Sequence, residues 1–377
     1  MKTMNKILSG FVLATVLLTG CTNQSIEFDD FTTQTAYFPL QYPIRTIVLG
    51  EDRLDNSIDL EKAFNIGVNV AGMYENKADR TIEFEVAPSL FPDVTLGGDT
   101  IFGKLNSVDY KLMPLPTQYY NLATLNSVTV PSGSKKGLIR VNLTDDFFND
   151  PAAIKLSYVV PMKIKSVSHN FSILTGKAAE GITAPRWYVA SEWATGLQPK
   201  DYTLFAVKFI NVWHGTYFQR GVQKKNNVVD KVFHKQDISA DQTAKFTTVG
   251  LKKATYNRMG EFSSVNATTK LENYLSLLTF DDAVDGVGNV TVSAPAGSAF
   301  AIAGTGKYYK SSTALGKENG WIVDPVSGKT FGALTITLDY AVTGIAPATT
   351  YQFTDTLVFR SNDVKYEEFT VSPHIKK

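Results

Sequence analysis

An all-β fold in two domains is predicted for this chain by three observations. Apolar residues recur with a period of two in short runs, the runs are separated by Gly, Pro, Asn and Asp clusters, and β-branched and aromatic residues fill them. The expected order is a signal peptide over 1–20, an acidic tether over 21–32, a β-sandwich over 33–175, a linker over 176–190 and a second β domain over 191–377.

Lys2 and Lys6 precede a 12-residue apolar run, 7–18, and the small residues Thr19 and Gly20 follow it, the layout of a secretory leader. A permanent membrane helix needs about 20 apolar residues. Cys21 is the sole cysteine, so it has no disulfide partner and no second thiolate for a metal or redox pair. No histidine shares its segment to activate it. The run Leu18-Thr19-Gly20-Cys21 resembles the bacterial lipobox. That resemblance implies diacylation of the Cys21 thiol with palmitate-type chains, cleavage before it and acylation of the new amino terminus. Each buried CH₂ contributes about 0.8 kcal/mol, so several chains hold where one is marginal. A lipid-anchored outer-membrane location is expected. Glu27, Asp29 and Asp30 make the tether acidic and extended. They resemble the acidic patches that send Bacteroides-type lipoproteins to the cell exterior.

Beyond the tether, Ile82, Phe84 and Val86 alternate with Glu83 and Glu85, and Ile139, Val141 and Leu143 alternate with Arg140 and Asn142. Such segments are half-buried strands with one wet face. The stretch SIDLEKAFNIG accommodates a helical turn, and no long helix-periodic segment occurs. The run at 157–174 reads as the last strand of the first domain, and TGKAAEGITAP has the small, polar composition of a linker. In the second domain the clearest alternation sets Leu334, Ile336, Leu338 and Tyr340 against Thr335, Thr337 and Asp339. Segments DDAVDGVGN and GTGKYY lack the registers of a calcium loop and a phosphate loop, and both read as turns.

Charge excludes one function class. Without Lys2 and Lys6, 35 basic residues face 36 acidic ones, which leaves no electrostatic footprint for nucleic acid. His169, His214, His234 and His374 are scattered without metal-ligand spacing. Glu83 and Glu85 lie on a solvent face, and no nucleophile motif occurs. No catalytic residue, metal or cofactor is expected, and the chain reads as non-enzymatic.

Aromatic side chains carry the binding signal. Sugars stack their C–H faces on flat rings while polar neighbours meet the hydroxyls. The tryptophans fall at 187, 193, 213 and 321. Trp187, Tyr188 and Trp193 lie beside the linker, and Trp213, His214 and Tyr217 follow in VWHGTY. These six are the candidate glycan-contacting residues. For His214 a backbone hydrogen bond at a bend made by Gly215 is the competing role.

Two stretches carry a wider resemblance. AYFPLQYPIRTIVLGED, followed by LPTQYYNL, FFNDP and YVVPMKI, resembles the immunoglobulin-like N-terminal domain of two-domain Bacteroidales surface lipoproteins. YTLFAVKFINVWHGTYFQRG, with Lys208, Asn211, His214, Gly215, Tyr217, Arg220 and Gly221, resembles the start of the paired C-terminal domain. The resemblance implies an immunoglobulin-like sandwich followed by a second sandwich or a calycin-like β-barrel. It also implies association with starch-utilisation-type import systems. The expected function is non-catalytic capture of a glycan, with a TonB-dependent transporter and its surface lipoprotein lid as partners. The alternative is a structural or adhesive lipoprotein that binds another protein.

Overall fold

The computed structural model describes residues 29–374 except 51, 53, 93–99, 170, 259–273, 324–327, 333 and 347–348. The leader, Cys21 and tether residues 21–28 lie outside the described residues. Strands dominate, and the longest described α-helix is Ala314–Gly320.

Among the described residues thirteen strands come first: β1 Thr35–Tyr37, β2 Pro43–Val48, β3 Ala63–Ala71, β4 Arg80–Val86, β5 Thr100–Leu105, β6 Val108–Lys111, β7 Met113–Pro114, β8 Tyr120–Leu122, β9 Ser127–Val130, β10 Lys136–Leu143, β11 Tyr158–Val167, β12 Ser172–Ile173 and β13 Tyr202–Ile210. One sheet runs β12-β1-β3-β10-β8 and a second runs β2-β13-β11-β4-β9. Phe64, Ile66, Val68 and Ile139 from the first sheet meet Phe84, Val160, Met162 and Phe209 from the second in one core. The second sheet is covered on its other face too. Val159, Leu204 and Ala206 pack there with Ile101, Leu112 and Leu156. A sheet buried on both faces selects continuous apolar runs, which is why SYVVPM and YTLFAV lack the alternation of β3 and β10.

Eleven more strands follow: β14 Gly215–Lys225, β15 Val228–Phe233, β16 Gln242–Gly250, β17 Lys253–Arg258, β18 Tyr274–Phe280, β19 Val287–Ser293, β20 Ala301–Lys310, β21 Ile322–Val323, β22 Thr330–Phe331, β23 Leu334–Ala346 and β24 Thr349–Ser361. Pairing runs β14-β16-β17-β18-β19-β20-β23-β24 and returns to β14, from Thr216↔Ser361 to Lys225↔Tyr351. This is a closed, eight-stranded antiparallel barrel, the second of the two expected alternatives. Tyr217, Phe246, Leu278, Val290, Ile336 and Phe353 fill it.

One of the two expected turns needs correction. GTGKYY is not a turn but the middle of β20. A Cβ on Gly306 would lie 2.1 Å from the Thr337 carbonyl oxygen, so glycine serves close strand approach here rather than chain reversal. DDAVDGVGN does hold the β18–β19 turn, with Asp285 and Gly286 at φ 49° and 80°.

The domain division also moves. β13 pairs antiparallel with β11 and parallel with β2, so 202–210 belong to the first domain and not to a domain starting at 191. After the barrel, β25 Glu367–Glu368 pairs with β2 and β26 Thr370–His374 pairs with β5. The barrel is thus inserted between strands of the first domain. Local composition cannot report this, because the deciding β2–β13 pairing joins residues far apart in sequence. The crossing is bolted by Asn211, 1% exposed, whose side chain donates to the carbonyls of Gly250 and Lys253 at 2.9 and 2.8 Å.

Candidate functional site

Segment 174–200 folds as a compact loop after β12. Arg186 pairs with Glu192, Trp193 Nε1 donates to the Arg186 carbonyl at 2.9 Å, and Trp187 Nε1 donates to the Leu90 carbonyl at 2.8 Å. These bonds hold the loop over the outer face of the second sheet. Trp187 and Tyr188 meet edge to face, centroids 5.1 Å apart, and Trp187 lies 5.1 Å from Tyr202 and 6.4 Å from Tyr42. Together with Gln41, Gln198, Lys200 and Glu368, these four aromatic residues line an open cavity of about 460 Å³.

The Tyr42 and Tyr202 hydroxyls hydrogen-bond each other at 2.5 Å. Burial raises both pKa values, so both phenols stay neutral over the physiological range. The cavity therefore offers ring surfaces, neutral hydroxyls, two amides, one lysine and one carboxylate. Such a lining suits a polyhydroxylated ligand with apolar C–H faces. Glu368 joins it from the strand that returns after the barrel, a contribution sequence order does not reveal.

Of the six candidate residues, the structure brings Trp187 and Tyr188 to this cavity. Trp193 supports the loop from behind, against Gly176. Trp213, His214 and Tyr217 lie elsewhere, at the base of the barrel, and are not placed for ligand contact. Trp213 is 5% exposed, stacked on Phe280 at 4.0 Å, and Tyr217 is fully buried with its hydroxyl donating to the Trp213 carbonyl. The physical reason is period two: Tyr217 and Gln219 point inward along β14. His214 takes the role that competed with ligand contact. Its Nδ1 accepts from the Thr248 backbone N–H at 3.1 Å, and Gly215 at φ 143° makes the bend.

Burial lowers the His214 pKa to about 4, with Lys245 and Lys208 adding to the shift and Asp363 opposing it. The unfolded chain binds this proton near pH 6.5, so stability is complete above that value and falls as pH drops toward 4. The expected loss is about 3 kcal/mol. Urea titrations across this range should show the native protein losing about 3 kcal/mol toward acid pH that His214→Gln, which binds no proton there, keeps.

The barrel holds a polar cluster that sequence reading missed. Arg258 and Asp355 are fully buried, with Arg258 Nε 3.0 Å from Asp355 Oδ2 and Nη2 3.1 Å from Oδ1. Tyr256 and Tyr340 donate to the same carboxylate at 2.9 and 3.0 Å. Burial alone would depress the Arg258 pKa, yet the Asp355 charge raises it overall. A signal was present: Asp355 falls in phase with Tyr351, Phe353 and Leu357, and Arg258 with Ala254 and Tyr256. A charge on the apolar face of a strand marks a buried partner. Among the described residues no cluster of His, Cys, Asp or Glu could hold a metal ion, and no helix is long and apolar enough to cross a membrane.

Residues 212–363 match the domain of unknown function DUF5627. That span coincides with the inserted barrel, β14 to β24, and supports the corrected domain division. Residues 31–170 match a family model described as a "-like, N-terminal domain". A crystal structure from Bacteroides ovatus, described as a structural-genomics protein of unknown function, is 28% identical at a TM-score of 0.74. The alignment covers 91% of this chain and 99% of that one. The two family matches and the alignment along nearly the whole Bacteroides ovatus chain together support a two-domain Bacteroidales protein family. No curated protein matches the chain.

Proposed function

We propose that this protein is a lipid-anchored, non-catalytic lipoprotein of the outer cell surface that captures oligosaccharide for an outer-membrane import system. The cavity lined by Tyr42, Trp187, Tyr188 and Tyr202 carries the reading. Rings held by a donor–acceptor bond at Leu90 and by ring-to-ring packing lose little freedom when a sugar docks. Anchoring rests on the Leu18–Cys21 run, and exterior exposure on Glu27, Asp29 and Asp30. A TonB-dependent transporter and its surface lid are the partners this reading implies.

Calorimetry against a panel of neutral and acidic oligosaccharides tests the capture. Tyr188→Ala should weaken binding about tenfold through loss of one ring face, while Trp321→Ala, remote on the barrel surface, should leave it unchanged. Absence of binding across the panel, or indifference to Tyr188→Ala in a folded variant, would sink the proposal. The anchor has its own readout: Cys21→Ala should move the protein from the detergent phase to the aqueous phase.

A further inference from the structure

On one side of the barrel, small and polar outward residues line a groove. In β20, Ile302 and Tyr308 turn inward at 5% and 1% exposed, while Ala303, Thr305 and Lys307 face out. Inward Gly304 and Gly306 let this strand sit deep against β23, because a Cβ on either would meet a β23 carbonyl oxygen at 2.3 or 2.1 Å. Beside Gly306 the outer face is recessed into an open cavity of about 350 Å³, lined by Asn289, Thr291, Thr305, Lys307, Thr337 and Asp339. A second open cavity, of about 410 Å³, continues from Asp339 to Thr354, Gln352, Asn227 and Lys224. Asp339 lines both, so the two form one groove across β19, β20, β23, β24 and β14.

Pairing register sets the polar groups in rows. Thr291, Thr305, Asp339 and Thr354 are successive partners on four strands, and Asn289, Lys307 and Thr337 make the row beside them. Neighbouring strands lie about 4.8 Å apart, so a ligand that crosses them meets a fresh hydroxyl, amide or charged group at each step. Two of these groups are held in place. Thr354 Oγ1 donates to Asp339 Oδ1 at 2.7 Å, and Gln352 Nε2 donates to Asn227 Oδ1 at 2.7 Å. Groups already fixed cost less to order when a ligand arrives.

Chemistry narrows the occupant. The rings of Tyr340 and Phe353, beneath the groove, turn inward at 5% and 2% exposed, so this surface offers hydrogen bonds rather than stacking. Lys224 and Lys307 line the two cavities that meet at Asp339, which supplies donors and an acceptor without a field of one sign. A polyanion would meet Asp339, and a polycation would meet the lysines. A neutral chain with hydroxyls at regular intervals meets neither penalty.

We propose that this groove is a second contact for a neutral glycan, so that the protein grips a polysaccharide through the barrel as well as through the aromatic cavity. This rests on the capture reading above and extends it, making a long chain the preferred ligand. Two modest contacts on one chain raise affinity through effective concentration when the chain is long enough to reach both.

The probes are a neutral α-glucan, β-glucan, mannan and xylan, each as long chains and as matching short oligosaccharides. They are titrated calorimetrically against the full chain in ~0.1 M and ~0.5 M salt. At least one pair should bind, the long form about tenfold more tightly, with little change between the two salt concentrations. Asp339→Ala with Lys307→Ala, both at exposed positions, should bring the long form back to the affinity of the short one and leave the short one unchanged. Tyr188→Ala should weaken both forms. If the folded double variant binds the long chain as the native protein does, the groove is overturned while capture at the aromatic cavity stands. Tenfold weaker binding of the long chain in ~0.5 M salt would overturn it too. If no probe binds, the groove and the capture reading fall together.

Discussion

Asp355→Ala is expected to destabilise the barrel by about 3–5 kcal/mol, because it strands the Arg258 charge where water cannot reach it. The same change removes the acceptor for the Tyr256 and Tyr340 hydroxyls, so three donors lose their partner at once. Arg258 sits 4.2 Å from the Phe353 ring and 4.6 Å from the Phe233 ring, and neither ring replaces a carboxylate. A melting temperature lower by about 10 °C should accompany the loss. The partner experiment separates charge from shape. Arg258→Met combined with Asp355→Leu removes both charges, and the double variant should recover most of the stability lost in Asp355→Ala. If Asp355→Ala melts within about 1 kcal/mol of the native protein, the cluster does not hold the barrel together as argued.

Trp213→Ala should produce the second large effect, a loss of about 3–5 kcal/mol from the cavity left in a packed interior. The indole lies face to face with Phe280 and edge-on to Tyr308 at 5.3 Å. Its backbone N–H donates to Asn211 Oδ1, next to the crossing between domains. Trp213→Phe preserves a ring at the stack and should lose much less. The decisive contrast is with ligand capture: at a temperature where Trp213→Ala remains folded, binding at the Trp187 cavity should equal that of the native protein. Loss of binding there without unfolding would restore Trp213 as a contact residue and contradict its position in the barrel core.

Much of the site's address was legible in the sequence, and much of its membership was not. Trp187 and Tyr188 could be singled out because a tight aromatic pair sits in a stretch otherwise rich in small and polar residues. Tyr42 and Tyr202 could not, since they are 160 residues apart and meet through the parallel pairing of β2, which follows Tyr42, with β13, which begins at Tyr202. Trp213 and Tyr217 were misassigned for a physical reason. An aromatic residue on a strand looks the same whether its face is turned inward or outward until a closed sheet defines an inside. His214 shows the opposite case, where the neighbouring glycine announced a bend and the side chain bonded to the backbone beside it.

By itself the sequence determined that the chain is built of strands, that residues 334–340 carry a strict two-residue alternation, and that the run Leu18-Thr19-Gly20-Cys21 resembles a lipobox. Those properties are local, written in hydrophobic period, turn chemistry and a few adjacent residues. Tertiary structure alone decided that β24 closes on β14, that β13 and β25 flank β2, and that the barrel is an insertion. Each of these joins segments distant along the chain, and pairing between distant strands is settled by which faces bury together rather than by any signal within either strand.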